Sequence, residues 1–422
     1  MTLTDGAATP PSRTARGVPT GVGHLGQGTP LAPAGRHRFP LARRAWAYWL
    51  GCAGFAVLLA TTTGLGPHRV WGICAAVGYG TAAVLSARDP RAGSRAGAWA
   101  ALLGAVLVPL VVLVVSGAAQ SEVGVVERSG ELLLHTGSPY LPHPSHTVDY
   151  DPYLPGMALF GVPRALLGAS PLADARVWFC LAFLGCMVLA GRRPAGSPGG
   201  PAPVRAVSLL AGFPAVALPL AVGGVDLPVV GLMCLGLALA ARGGSGTAAG
   251  VAMGAAAALK WTAWPLLPVG LVLLAVTAGR RTALRAALVA LSVAVAAVVP
   301  VALADPHAFV EHVVLFPLGE GGVRSPAASP LPGHLLAVHV PGGAALATGA
   351  LVAAALGLTV SLLIRPPRTV RAAADRLAAG LGLAICLIPA TRFGYLVLPL
   401  VLAGWFRCTA KTAGPAVARR VS

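Results

Sequence analysis

GAWAALLGAVLVPLVVLVVSGA, residues 97–118, contains no charged side chain. As an α-helix it would reach about 33 Å, enough to cross a hydrocarbon core roughly 30 Å thick. It is one of twelve such runs. The others are approximately 45–63, 69–86, 174–190, 206–222, 227–241, 247–259, 261–278, 286–303, 341–364, 377–390 and 393–406. Over the 422 residues, 56% are hydrophobic and only 10% are charged, against about 25% charged in a soluble domain. These numbers exclude an ordinary soluble protein. They predict an all-α polytopic membrane protein with about twelve transmembrane helices, residues 45–406.

The formal charge is +18. In a soluble chain that would suggest nucleic acid, but in a membrane chain Lys and Arg collect in cytoplasmic loops. The segment YLPGMALFGVPRALLGA, 153–169, decides the threading. If it spans, the basic linker 191–205 falls outside. If it lies along the interface as an amphipathic helix, every basic connection falls inside, and this arrangement is adopted. The inner segments then hold 24 of the 31 Lys and Arg and three of the 13 acids, a balance of +21 against −3 elsewhere. Both termini are expected in the cytoplasm. Residues 1–44, rich in Pro, Gly and Arg, read as a disordered cytoplasmic tail, and 407–422 as a second tail. Two large outer loops follow, 119–173 and 304–340.

Six of the seven cysteines sit inside apolar runs and Cys408 just past one. They read as small core residues with no disulfide framework. No Walker loop, HExxH or GxSxG occurs. Polar chemistry is therefore expected on the outer side. Glu122, after the third run, is either a general base beside an apolar wall or a solvated carboxylate marking a span end. HTGSPYLPHPSHTVDYDPYLPG, 135–156, holds His135, Asp149, Asp151 and Tyr153, and its five prolines keep it stiff. It is either a sugar-binding surface or an ordinary ordered loop. A metal set from His143, His146, Asp149 and Asp151 is chemically possible. Its HxxH spacing crosses a Pro-containing loop instead of a helix, and no metal site is assigned. Lys260 is one of only two lysines. It either holds a phosphate at the outer face or snorkels to the headgroups. Arg392 is either a bidentate phosphate ligand or an interface anchor. Asp226, in the turn GGVDLP, is placed to cap the next helix or to meet substrate.

Four stretches in order carry a resemblance. They are Glu122 followed by SGELLLHTGSPY, then YDPYLPGMALFGVP with Ala175-Arg176, then GGVDLP, then GVAMGAAAALKWTAWPLLP. The chain resembles the GT-C class of membrane glycosyltransferases, and within it glycosyltransferase family 87 of actinobacterial mannosyltransferases. The resemblance implies a GT-C-like fold in the cell membrane, a polyprenyl-phosphate sugar donor (mannose) and a glycan or glycolipid acceptor in the cell envelope. It implies an extracytoplasmic site whose base is an acid of the first large outer loop, which maps to Glu122. Beside it, the residues themselves offer Lys260 and Arg392 for the phosphate, and Asp149, Asp151, Tyr153, Asp226 and His135 for the sugars. No cofactor, metal or nucleotide enters that scheme. Glu stands where the family usually has Asp, and the Gln of its GQ-x-N turn is missing. The competing class is a transporter or lipid flippase, which predicts charge near mid-membrane.

Overall fold

A computed structural model describes residues 45–88, 93–192, 203–323 and 326–410. Residues 1–44, most of the linker 191–205, Arg324 and residues 411–422 lie outside the described residues. Each of the twelve apolar runs carries helix. They are α1 (Ala45–Thr62), α2 (Gly66–Arg88) and α3 (Arg95–Val115), the last with a π-helical turn at Leu103–Leu107. The non-apolar helices α4 (Ser121–Thr136) and α5 (Val162–Leu167) come next. Then follow α6 (Ala175–Gly191), α7 (Pro203–Ala211), α8 (Pro214–Val222), α9 (Asp226–Ala241), α10 (Gly246–Leu259), α11 (Trp261–Ala278) and α12 (Arg280–Ala304). The chain continues through α13 (306–318), α14 (Pro332–His339), α15 (Gly343–Ile364), α16 (Val370–Leu387) and α17 (Phe393–Thr409). Among the described residues, α1, α2, α3, α11, α12 and α15 are long and apolar enough to cross a membrane, and several shorter apolar helices accompany them. The protein is polytopic.

The centre is α9. Its sequence DLPVVGLMCLGLALAA is apolar on every side, and a helix of that kind must be surrounded. It packs against α6, α10, α11, α16 and α17. Met233, Cys234 and Leu237 join Phe183, Met253, Leu273, Leu377 and Leu402 in one buried cluster. By contrast α12 and α15 expose Leu288, Leu291, Leu346, Val352 and Leu356. Apolar surface on that scale is intolerable in water and matches lipid tails.

Three expectations change. First, the run 206–222 is not one helix: it breaks at Phe213, because Pro214 has no N–H and its ring opposes the carbonyl four residues back. The Gly212 carbonyl freed by the break accepts from the Tyr79 hydroxyl at 2.8 Å. Second, the stretch after α3 is not loop: α4 fills it, ending at Gly137, whose φ of +78° suits a left-handed C-cap. Glu122 therefore lies in the first turn of a separate helix and not at the mouth of the third span. Third, 153–169 is not a single interfacial helix. A 3-10 helix, Pro155–Phe160, meets α5 at Gly161, and neither piece approaches the length of a span. This corner packs backbone to backbone on α4, since a Cβ on Gly161 would lie 2.0 Å from the Val126 carbonyl.

Candidate active site

Lys260 occupies the gap between α10 and α11, where its own backbone is extended (φ −161°, ψ 143°). The break leaves the Leu259 carbonyl without an intrahelical donor, and the Leu154 N–H supplies one at 3.1 Å. Broken helices in a membrane chain need such replacement partners. Here the replacement docks the YLPG segment onto the end of α10. Gly156 sits at the contact, and a Cβ there would lie 2.7 Å from the Ala258 carbonyl. The docking sets Tyr153 beside Lys260.

The Lys260 ammonium is buried and donates to Asp226 Oδ1 at 2.7 Å. It also lies 4.6 Å from the Tyr395 ring centre and 5.5 Å from that of Tyr153. A buried lysine needs a counter-charge, and the aromatic faces add to it. Asp226 opens α9, so its carboxylate also meets the positive end of that helix. Arg392 precedes α17. A short bridge fixes its neighbour, with Thr391 N–H donating to Ala327 O at 3.0 Å and Ser329 N–H donating to Thr391 O at 2.9 Å. The Arg392 guanidinium pairs with Glu122 from α4, 270 residues away in sequence.

One cavity of about 250 Å³ collects these groups. Glu122, Lys260 and Arg392 line it with Tyr150, Tyr153, Trp261 and Tyr395. Asp226 stands behind Lys260. Asp151 stands behind Tyr153 and does not line the cavity: its Oδ2 accepts from Ser129 at 2.6 Å and its Oδ1 from the Tyr153 N–H at 3.0 Å. Burial pushes the Asp151 carboxyl up to about 7. Asp149 is elsewhere. Its Oδ2 accepts from the N–H groups of His146 (2.8 Å) and Ser145 (3.0 Å), which hold it down at about 2. His135 is exposed in the last turn of α4, with Nδ1 at 2.8 Å from Glu131 O. Among the described residues no group of three or more His, Cys, Asp or Glu could hold a metal.

Sequence reading missed the strut that holds the 135–156 loop. His312, fully buried on α13, accepts the Asp151 N–H at Nδ1 (2.9 Å) and places Nε2 2.9 Å from Leu141 O. These partners assign the neutral ring with its proton on Nε2, and burial lowers its proton affinity. The rings of Tyr140 and Tyr150 lie on it at 5.3 and 5.2 Å. Tyr150 also stacks on Phe316 at 4.1 Å and donates to Glu311 Oε1 at 2.8 Å. Two aromatic-rich outer segments 160 residues apart gave no local sign that they would interlock around one histidine.

An acid, two cations and five aromatic residues around one cavity suit an anionic leaving group and a polar acceptor. Comparison with known proteins finds no matching curated relative and no matching solved structure. The sequence model of glycosyltransferase family 87 matches residues 152–390, more than half of the chain, and the protein belongs to that family.

Proposed function

We propose that this membrane glycosyltransferase moves mannose from a polyprenyl-phosphate donor to an acceptor hydroxyl at the extracytoplasmic face, with inversion at the anomeric carbon. The supporting observation is that Glu122, Lys260 and Arg392 line one cavity. The sugars and the donor come from the family resemblance. Glu122 and Arg392 lie outside the matched stretch 152–390, so their roles rest on geometry and chemistry. A transporter, which the mid-membrane charges would have had to serve, has no support once the family is known.

In the proposed step the acceptor O–H gives its proton to Glu122. The acceptor oxygen bonds to the anomeric carbon as the bond from that carbon to the phosphate oxygen breaks. Polyprenyl phosphate departs with one additional negative charge, which Lys260 and Arg392 stabilise. Arg392 pairs with Glu122 before the donor arrives. A donor phosphate that takes the guanidinium bidentately leaves the carboxylate free to act as base. Asp226 keeps Lys260 charged in a dry site, and Asp151 orients Tyr153 through the loop backbone. The GT-C-like arrangement of twelve spans, with both termini cytoplasmic, is supported by the helix over every apolar run and by the partition of basic residues.

The test is transfer from polyprenyl-phosphate mannose by the full chain in reconstituted membranes. Glu122→Gln is expected to lose about 10²–10⁴-fold in kcat while retaining donor binding. Full transfer by that variant would refute the base assignment.

A further inference from the structure

A second and larger cavity, about 550 Å³, lies against the opposite face of α4. At 100° per residue, Glu122 and Val125 share one side of that helix while Val123, Gly124 and Glu127 share the other. The catalytic cavity takes the first pair, the larger cavity the second set. Ser121 lines both, and its hydroxyl donates to Glu122 Oε2 at 3.1 Å. Ser121, beside Glu122, is thus a wall shared by both spaces.

The walls differ in charge. The catalytic cavity sets two cations against one acid. The larger cavity balances Glu127 and Asp174 against Arg164 and Arg176. Its inner wall is built: Arg176 and Asp174 are both more than nine-tenths buried and joined at 2.6 Å, and Arg176 also donates to Ala118 O at 2.8 Å. Glu127 Oε1 receives the Ala175 N–H at 3.1 Å, and Oε2 lies 3.7 Å from Arg164. Such a wall is polar and carries no net charge; Arg176 and Asp174 satisfy one another, and the groups left lining the space include the Arg164 side chain and the Ser121 and Ser170 hydroxyls. It discriminates against a phosphate and suits an uncharged polyhydroxyl compound. A volume of this size falls within the range of small-ligand sites.

Gly124 offers a probe of this cavity. It sits inside α4, where glycine costs about 1 kcal/mol relative to alanine. A Cβ there would meet nothing within 4 Å, so no neighbouring atom requires glycine. A large side chain at this position would enter the cavity.

We infer that the larger cavity binds the carbohydrate part of the acceptor, with the reacting hydroxyl passing Ser121 to reach Glu122. The proposal rests on Glu122 as the base for its orientation, though not for the binding itself. The experiment measures equilibrium binding of octyl α- and β-glucosides, galactosides and mannosides to the full chain in lipid nanodiscs. Polyprenyl phosphate is measured in parallel. At least one octyl hexoside is expected to bind the wild type. Gly124→Trp is expected to weaken it tenfold or more, while Gly124→Ala stays within twofold and all three bind polyprenyl phosphate equally. Should Gly124→Trp also lose polyprenyl phosphate, Arg164→Gln decides, with a severalfold loss of hexoside binding expected from this half-buried position. Equal hexoside binding in the decisive variant and the wild type, or no hexoside binding to the wild type, overturns the proposal. Failure of the wild type to bind polyprenyl phosphate would overturn the catalytic reading instead and leave the hexoside result standing.

Discussion

The Lys260–Asp226 pair allows stability and catalysis to be separated. Lys260 is 8% exposed and Asp226 7%, with 2.7 Å between the charged atoms. Removing one member of such a pair leaves an uncompensated buried charge and costs roughly 3–5 kcal/mol. Asp226→Asn should fall near the lower end, because the Tyr395 and Tyr153 rings still face the ammonium, and such contacts recover on the order of 0.5–2 kcal/mol. Lys260→Met leaves only the positive end of α9 against the Asp226 charge and should fall in the same range. Replacing both, as Lys260→Met with Asp226→Leu, removes both charges from the interior and should return to within about 1 kcal/mol of the wild type. The coupling between the sites is then on the order of 5 kcal/mol or more, read from unfolding titrations of the four proteins. Transfer activity should not follow stability. The double variant has no ammonium to stabilise the departing phosphate, and its kcat should stay down about 10²-fold or more. An Asp226→Asn variant that costs under about 1 kcal/mol would show that Lys260 does not depend on this carboxylate. A double variant with wild-type transfer would remove Lys260 from the phosphate site.

Arg392→Lys keeps the charge and loses the planar fork; the donor KM is expected to rise about tenfold with the acceptor KM unchanged, as measured by initial rates at varied polyprenyl-phosphate mannose. Because burial raises the Asp151 carboxyl to about 7, the folded chain retains a proton that the unfolded chain loses near pH 4. The stability this group contributes is therefore full below about pH 4 and is lost as pH rises through about 7. Unfolding midpoints from pH 4 to 8 should show this slope, Asp151→Asn should flatten it, and an unchanged profile in the variant would refute the assignment. Gly156→Ala sets a Cβ 2.7 Å from the Ala258 carbonyl, so the YLPG segment must withdraw from α10. A stability loss of about 1–3 kcal/mol is expected, with a larger proportional fall in kcat than in donor affinity, because Tyr153 moves with the segment.

How far the chain could be read in advance follows from what its physics makes local. The apolar runs are local, since a stretch such as 97–118 must leave water whatever its neighbours are, and helix lies over every one. The break at Phe213 was not readable from Pro214 alone, because Pro219 and Pro300 lack the same N–H and lie inside continuous helices. Glu122, Lys260 and Arg392 stood out because ionisable groups beside spans are scarce here, and the fold brings all three to one cavity. Asp149 and Asp151 are two residues apart and alike in sequence. One faces water and caps a turn, the other is buried against Ser129, and only the docking of the loop on α4 and His312 separates them.

The helix α4 shows most sharply where reading a sequence by composition fails. Its stretch SEVGVVERSGELLLHT carries three glutamates and an arginine, so a window that averages hydropathy takes it for loop. Yet Val123, Val126 and Gly130 recur at helical spacing and are buried, which is the signature of a helix with a narrow apolar stripe. The polar remainder is not simply a solvated back. It divides into two sides, one presenting Glu122 to the small cavity and one presenting Gly124 and Glu127 to the large one. A helix that presents side chains to a cavity on each of two faces keeps only a narrow apolar stripe to announce it. The same placement that sets Glu122 between two spaces weakens the hydrophobic signal by which helices are usually found.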